Sequence, residues 1–302
     1  MKRVYRIIAA MLSAAVLSVA FLTGCGGKTE ESGTATTPPA TTAAATEKPA
    51  ATPAQQTPGT PKPVVTPAPP EGYDASIEVP KAGIFDIEFE NGAPVDRSEN
   101  AIPVEAYGEP TVKLDEEIGR EVASFRAEDE SAYIINNFGT YYDQIKGGFS
   151  QEIYFKSTDV LAEYCGIASN MESGGFGFDF EPTKNGVTTY GFSIRIGGSY
   201  QWAYPEEDME EDVYIHAIAV YDGTDLLLYV NGELTVETRG VGSNFTFPQD
   251  QTAQYFVIGG DSGAGPVENF FSGDIAFVRL YDEALNANQV YKLFTEAVKK
   301  AE

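Results

Sequence analysis

Beyond residue 72, apolar and polar residues alternate with the period of two that is typical of strands with one buried face. In the segment 84–90, Phe85, Ile87 and Phe89 fall on one face and three acids fall on the other. Further strands are predicted at 149–156, 176–181, 190–196, 214–221, 226–230 and 270–281. Short strands at this density indicate a fold built from antiparallel sheets.

Turn and helix signals support the same interpretation. The segment 222–225 (Asp-Gly-Thr-Asp) separates two predicted strands and favours a tight hairpin, and Asn231-Gly232 marks a second turn. One helix is predicted near the C-terminus, where Asn286 is the N-cap and Gln289 occupies the third helical position. We therefore expect an all-β protein, an antiparallel β-sandwich with a short C-terminal helix.

The first 71 residues differ from the rest of the chain. Lys2, Arg3 and Arg6 precede an apolar run over 7–22, which is the pattern of a secretory signal peptide. The segment 28–70 is rich in Thr, Pro and Ala and contains no aromatic residue, so we expect it to form no packed core. The predicted organisation is a signal peptide over 1–24, a linker over 25–71 and one sandwich domain over 72–302.

The composition limits the partners. Lys and Arg number 20 against 45 Asp and Glu, which gives a formal net charge of −25. A strongly acidic chain does not neutralise phosphates, so we expect no nucleic-acid partner. For the same reason the charge of the domain itself is not expected to hold it on anionic lipid.

The end of the apolar run is similar to the lipobox of bacterial lipoproteins, on the residues Leu22-Thr23-Gly24-Cys25. The resemblance implies that Cys25 carries a diacylglyceryl thioether and becomes the acylated N-terminus after cleavage. Two or more acyl chains anchor a protein stably. We therefore expect an exported lipoprotein that contacts the bacterial cell membrane only through its lipid anchor.

The predicted domain resembles the laminin G-like domains of the concanavalin A-like lectin/glucanase superfamily. The motifs that carry the resemblance are 89–92 (Phe-Glu-Asn-Gly), the strand 214–223, the hairpin 226–232, and the closing strand 271–281. The resemblance covers roughly residues 82–296 and implies a jelly-roll sandwich of two antiparallel sheets. It implies no single activity, because the superfamily contains carbohydrate-binding modules, protein-binding modules and glucanases.

An aromatic cluster is the first candidate site. Tyr200, Trp202 and Tyr204 follow a predicted strand, and Tyr141 and Tyr142 lie on another loop that could line the same face. Flat aromatic faces stack on sugar rings, so these five residues are candidate ligand-binding residues. The alternative is that Trp202 fills the core or packs on its own loop.

Asp86, Glu88 and Glu90 form the second candidate site. Superfamily glucanases carry an acid-x-acid-x-acid strand, and the carboxylates of retaining enzymes are about 5–5.5 Å apart. Here the order of Asp and Glu differs from that pattern and the strand opens the domain. We expect the acids to form the solvated outer face of an edge strand, with glycan hydrolysis as the alternative.

Calcium is the third candidate. Relatives often hold one structural calcium ion between the first and last strands, and Glu90 and Asp274 match those regions. Ala276 and Phe277 stand where relatives often have two aspartates. Asp261, Glu268 and Asn269 form a second acidic loop.

Two single residues remain. His216, the only histidine, is expected to make a structural hydrogen bond, and Cys165 is expected to be a small buried residue. The resulting prediction is a surface lipoprotein that binds a glycan or another extracellular ligand without catalysis. The alternatives are a glycan-cleaving hydrolase and a protein-adhesion or structural module.

Overall fold

The structure is a computed structural model, and it describes residues 66–158, 165–171, 174–182, 188–243, 245, 254–263 and 267–299. Within these residues the chain forms two antiparallel sheets and a C-terminal helix. The predicted β-sandwich is therefore confirmed. Cys25, the signal peptide and the linker up to residue 65 lie outside the described residues.

The first sheet, sheet A, contains nine of the described strands. Its main path runs β14-β13-β12-β7-β16-β1-β2, and β5 joins it by pairing with β16 and with β4. The strands are β1 Phe85–Glu90, β2 Ala93–Asp96, β4 Thr111–Asp115, β5 Arg120–Phe125, β7 Phe149–Ser157, β12 Tyr214–Tyr221, β13 Leu226–Val230, β14 Glu233–Thr238 and β16 Gly273–Tyr281.

The second sheet, sheet B, contains the other seven described strands in the order β11-β10-β9-β8-β15-β6-β3. They are β3 Val104–Tyr107, β6 Ala132–Ile135, β8 Gly166–Ser169, β9 Phe176–Pro182, β10 Thr188–Ile196, β11 Ser199–Ala203 and β15 Phe256–Ile258. A short helix α1 (Tyr142–Ile145) links β6 to β7 after a 3-10 turn at Phe138–Tyr141. Strand β11 ends the order of sheet B on one side.

The main core consists of the inward side chains of both sheets. The alternation predicted for β1 is confirmed, because Phe85, Ile87 and Phe89 are buried in this core. Phe178 and Phe192 face them from sheet B, on β9 and β10. Each strand therefore sends its other set of side chains outward, and any ligand-binding group of the sheets lies on those outer faces.

Helix α2 (Ala287–Ala297) covers the outer face of sheet A. The Asn286 side chain accepts from the backbone N–H groups of Asn288 and Gln289, and Gln289 completes the capping box. Val290 and Leu293 pack against Ile218 and other outward residues of the sheet. The predicted helix and its cap are confirmed, and the helix covers part of the outer face of sheet A.

The segment before β1 packs on the same helix. The Tyr73 ring lies 4.9 Å from the Tyr291 ring, edge to face, and the Tyr291 hydroxyl donates to the Pro67 carbonyl at 3.0 Å. Lys292 Nζ donates to the carbonyl of Ile77 at 2.7 Å. Contacts with the helix thus begin before the domain boundary predicted at residue 72.

Candidate ligand-binding site

Trp202 stands on the outer face of sheet B. It lies on β11 and pairs in register with Ser193 of β10, while the neighbouring pair Ala203 and Phe192 points into the core. The Trp202 side chain is 55% exposed, which is unusual for the largest apolar residue type. The alternative in which this residue fills the core is wrong.

A cavity of about 330 Å³ opens beside the Trp202 ring, and we call it the Trp202 pocket. Three acids contribute to its lining, namely Asp179, Glu181 and Asp261. The other lining residues that the structure describes are uncharged: Met171, Ser193, Tyr200, Trp202 and Asn269. The volume is at the lower end of the roughly 300–1,000 Å³ that is usual for small-molecule sites.

The acids on β9 reach the pocket because of the strand alternation. Phe178 and Phe180 are buried in the core, so the intervening Asp179 and the following Glu181 project from the opposite face. Burial raises the pKa of Asp179 well above its ordinary value, and the charges of its acidic neighbours add to this rise. Burial also raises the pKa of Glu181.

Tyr204 supports Asp179 from behind the pocket. Its hydroxyl donates to Asp179 Oδ1 and also lies 2.9 Å from Ser193 Oγ. Its ring occupies the space above Gly191, where a Cβ would collide with the ring. Tyr204 therefore positions the acid instead of presenting its own face to a ligand.

Asp261 comes from the loop that follows β15. Its Oδ1 accepts from Ser169 Oγ at 2.6 Å, from the Met171 backbone N–H at 2.8 Å and from the Ser262 backbone N–H at 2.8 Å. The backbones of Asp261 and Glu268 exchange two hydrogen bonds, which places Asn269 beside the same pocket. Two residues of the predicted acidic loop thus reach the site.

Tyr200 lines the pocket with its hydroxyl already engaged. That hydroxyl donates to the Met171 carbonyl and accepts from the Gly174 N–H at 3.2 Å. Arg195, the register partner of Tyr200, lies over its ring at 5.8 Å from the centroid. Tyr200 thus binds Met171 and Gly174, which lie between β8 and β9, and forms part of the wall of the Trp202 pocket.

The other predicted aromatics are not in the pocket lining. Tyr142 is buried in the main core, and its hydroxyl accepts from Asn170 Nδ2 at 2.8 Å. Tyr141 packs partly against the same core. The expectation that Tyr141 and Tyr142 line a common face with Trp202 is therefore not met, because their turn supplies core packing.

The acids of β1 do not form the edge of a sheet. Strand β1 pairs with β16 on one side and with β2 on the other, so the expected edge position is wrong. Asp86 accepts from Arg279 Nε at 2.6 Å and Glu88 accepts from Arg279 Nη2 at 2.5 Å. Arg97 pairs with both Glu88 and Glu90. Each carboxylate of the glucanase alternative is thus held by an arginine.

Behind these pairs lies a buried polar cluster under helix α2. Glu152 accepts from Tyr281 at 2.6 Å and lies 2.7 Å from His216 Nε2, which confirms the structural hydrogen bond expected of the histidine. Burial opposes ionisation of Glu152, but the charge of Arg279 and the bond from His216 outweigh burial. Together with the Tyr281 bond they lower the pKa of Glu152 to about 2.

The residues predicted to bind calcium are also paired with cations. Lys113 Nζ lies 3.0 Å from Asp274 Oδ1 and Lys156 Nζ lies 3.8 Å from Asp274 Oδ2, while Glu90 pairs with Arg97. Among the described residues no group of three or more His, Cys, Asp or Glu could hold a metal ion. Arginine and lysine side chains thus occupy the places next to these carboxylates, and the calcium site stays a prediction.

Cys165 is free and buried, as predicted, and its thiol donates to the Phe270 carbonyl at 2.9 Å. Burial raises the pKa of this thiol to about 12, so it is a poor nucleophile.

In the part of the chain that the structure describes, no helix is both long and apolar enough to cross a membrane.

Two larger cavities open elsewhere on the surface. One of about 640 Å³ lies beside Arg279 and Arg120, and one of about 740 Å³ lies between the acidic loop 206–212 and β14. Trp202 lines neither of them. The Trp202 pocket therefore differs by combining an exposed indole with converging polar groups.

The sequence contained a signal for part of this pocket. The alternation of 176–181 already placed Asp179 and Glu181 opposite a row of phenylalanines, directly before the strand that leads to Trp202. Asp261 gave no comparable signal for this pocket, because only the pairing of β15 with β8 brings it next to Ser169 and Met171.

The fold is that of lectin-like β-sandwiches. The chain belongs to the concanavalin A-like lectin/glucanases superfamily, since the Laminin_G_3 family model matches residues 131–291. No curated protein sequence matches the chain significantly.

Solved structures show the same fold at low sequence identity. Domain 4 of AbnA, an extracellular GH43 arabinanase from Geobacillus stearothermophilus in complex with arabinotriose, has a TM-score of 0.53 and 16% identity. The match covers 74% of this chain and 100% of that domain. The binding domain of botulinum neurotoxin DC in complex with rat synaptotagmin II has a TM-score of 0.55 and 13% identity. That match covers 72% of this chain and 52% of the neurotoxin domain, about half its length.

Proposed function

We propose that this protein is a saccharide-binding module that carries out no catalysis, and that the Trp202 pocket is its binding site. The observation that carries the proposal is the 55% exposed indole of Trp202 beside a cavity lined by hydrogen-bonding groups. Sugar rings present apolar C–H faces together with hydroxyls, so they fit an aromatic platform next to carboxyl, hydroxyl and amide groups.

Two structures with this fold were solved with bound ligands. The arabinanase domain was solved in complex with arabinotriose, and the binding domain of botulinum neurotoxin DC was also solved in complex with SialylT. At such low identity these likenesses show the fold alone. The argument for a saccharide at this site therefore rests on the pocket and its residues.

The proposed place of action is the cell surface. The lipobox-like residues 22–25 would anchor the chain through acyl groups on Cys25, and the Thr/Pro/Ala-rich linker would hold the domain away from the membrane. Growth with labelled palmitate tests this part, because the label should enter the wild-type protein and be absent after Cys25→Ala. Label in both proteins would contradict the anchor.

A glycan-binding screen tests the binding function. The full chain is presented to immobilised glycans, and the strongest ligands are measured by titration calorimetry. Binding to a defined glycan group, with no reducing ends released on long incubation, is the expected result. Release of new reducing ends would overturn the absence of catalysis. Failure to bind any glycan would overturn the saccharide function and favour the protein-adhesion alternative.

A further inference from the structure

We infer that the Trp202 pocket selects saccharides that carry a protonated amino group over neutral and anionic saccharides of the same size. This inference rests on the proposed saccharide binding and adds the chemical class of the ligand. It follows from the charged groups that surround the indole.

The described lining of the pocket is acidic. Asp179, Glu181 and Asp261 belong to it, and none of the lining residues that the structure describes is Lys, Arg or His. Arg195, the nearby basic residue on β10, packs on the ring of Tyr200 and is not part of the lining. A cation in the pocket therefore meets carboxyl groups from two separate segments, β9 and the loop after β15.

When the pocket is empty, the negative charges of the carboxylates repel one another, so each makes ionisation of the others less favourable. The pKa of Asp179 is raised first by burial and further by the charges of Glu181 and Asp261. A cationic ligand would offset this repulsion, because an opposite charge nearby stabilises the ionised form of each acid. An anionic ligand would add to the repulsion, and a neutral ligand would leave it unchanged.

The acids are positioned in advance. Tyr204 fixes Asp179 by a hydrogen bond, and three donors converge on Asp261 Oδ1. Groups that are already ordered lose little conformational entropy on binding, so more of the electrostatic gain contributes to affinity.

The indole favours the same ligand for an independent reason. Trp202 is 55% exposed and lines the pocket, and tryptophan provides the strongest cation–π interaction among the aromatic side chains. An aminosugar offers a C–H face for stacking and an ammonium group for the acids and the ring. A neutral sugar offers only the stacking face.

Titration calorimetry on the full chain tests the inference. The probes are trisaccharides of equal length: a β-1,4-glucosamine trimer with free amino groups, its fully N-acetylated form, and a galacturonic acid trimer. We expect the amino form to bind about tenfold tighter than the acetylated form, and the uronic acid to bind weakest. The preference should decrease with added salt.

Glu181→Gln is the diagnostic variant, because Glu181 is only partly buried and its replacement keeps the shape of the side chain. It should lower the affinity for the amino form more than the affinity for the acetylated form, so the preference for the amino form should decrease. Glu233→Gln, an exposed acid of β14 outside this pocket, is the matched control and should preserve the preference.

The outcomes separate the two proposals. If the acetylated or uronic trimer binds as well as the amino trimer, the amino preference is overturned and saccharide binding stands. If no trimer and no other glycan binds, saccharide binding itself fails. A lysine-containing tripeptide that binds as tightly as the amino trimer would show that the pocket recognises amines without the sugar, which overturns the saccharide part of the inference.

Discussion

Trp202 faces Ser193 across the β10–β11 ladder, so an exposed indole and a hydroxyl share the outer face of sheet B. Ser193 Oγ in turn lies 2.9 Å from the Tyr204 hydroxyl that holds Asp179. The apolar and the polar parts of the candidate site are therefore connected through one pair of strands. A change at the indole should affect binding without disturbing the core.

Trp202→Ala should lower affinity for the best glycan by about tenfold or more, equivalent to about 1.4 kcal/mol or more, because the stacking face is lost. The free energy of unfolding should change by about 0.5 kcal/mol or less, since the ring is largely exposed. Calorimetric titration and urea unfolding measure the two effects. Leu234→Ala removes another exposed apolar side chain, on β14, and should leave affinity unchanged. Equal affinity in wild type and Trp202→Ala would remove this face from the site.

Tyr204→Phe should raise the pKa of Asp179 further, because the Tyr204 hydrogen bond counteracts the effect of burial. A carboxyl whose folded-state pKa exceeds its unfolded-state pKa favours folding at low pH and opposes it at high pH. The variant should therefore lose about 1 kcal/mol of stability where Asp179 is ionised, so the loss should be larger at alkaline pH than near pH 4. Carbon-13 NMR of the Asp179 carboxyl and urea unfolding at both pH values measure this.

Tyr141→Phe is the control for Tyr204→Phe, because Tyr141 is not a lining residue of the Trp202 pocket. The Asp179 titration should be the same in this control and in the wild type. An unchanged Asp179 pKa in Tyr204→Phe would contradict the role given to the hydroxyl.

Gly191→Ala should destabilise the protein by about 1–3 kcal/mol and weaken binding. A Cβ at Gly191 would collide with the Tyr204 ring and lie 2.6 Å from the Ala203 carbonyl oxygen, so β11 or the ring must move. Gly147→Ala is the matched control, because its added Cβ meets nothing within 4 Å. Thermal unfolding of both variants tests the difference. Equal stability of the two would mean that Tyr204 has no fixed position.

The sequence predicts the β-sandwich well because the signal for each strand, the alternation of apolar and polar residues, is local along the chain. Alternation such as that of Phe176, Phe178 and Phe180 identifies the strand and its buried face without knowledge of the partner strand. The same pattern places Asp179 on the outer face. The large exposed fraction of Trp202 depends on what packs over β11, and the sequence alone left this open.

Long-range register explains what the sequence did not reveal. Asp86 and Arg279 are 193 positions apart, and they meet because β1 aligns Asp86 directly with Arg279 of β16. Without that register, an acid-x-acid-x-acid strand is equally compatible with a catalytic strand and with a set of ion pairs. The placement of Asp261 beside Ser169 depends on tertiary pairing in the same way.

Glu152→Gln should destabilise the protein by about 3 kcal/mol at pH 7, because Arg279 loses a buried counter-charge under helix α2. The pKa of Glu152 is about 2 in the folded protein against an ordinary value of 4.5. A lowered pKa contributes stability above the unfolded-state value, and that contribution disappears as the pH falls towards the folded-state value. The difference between wild type and variant should thus be largest at neutral pH and shrink between about pH 4.5 and pH 2.

Urea unfolding at a series of pH values measures this difference, and Glu233→Gln on the exposed face of β14 serves as the control. The control should differ little from wild type at every pH, because an exposed carboxylate without a buried partner contributes little to stability. A Glu152→Gln destabilisation that stays constant down to pH 2 would show that its cause is altered packing. A destabilisation that disappears with acid would assign it to the ionised carboxylate that Arg279, His216 and Tyr281 hold in place.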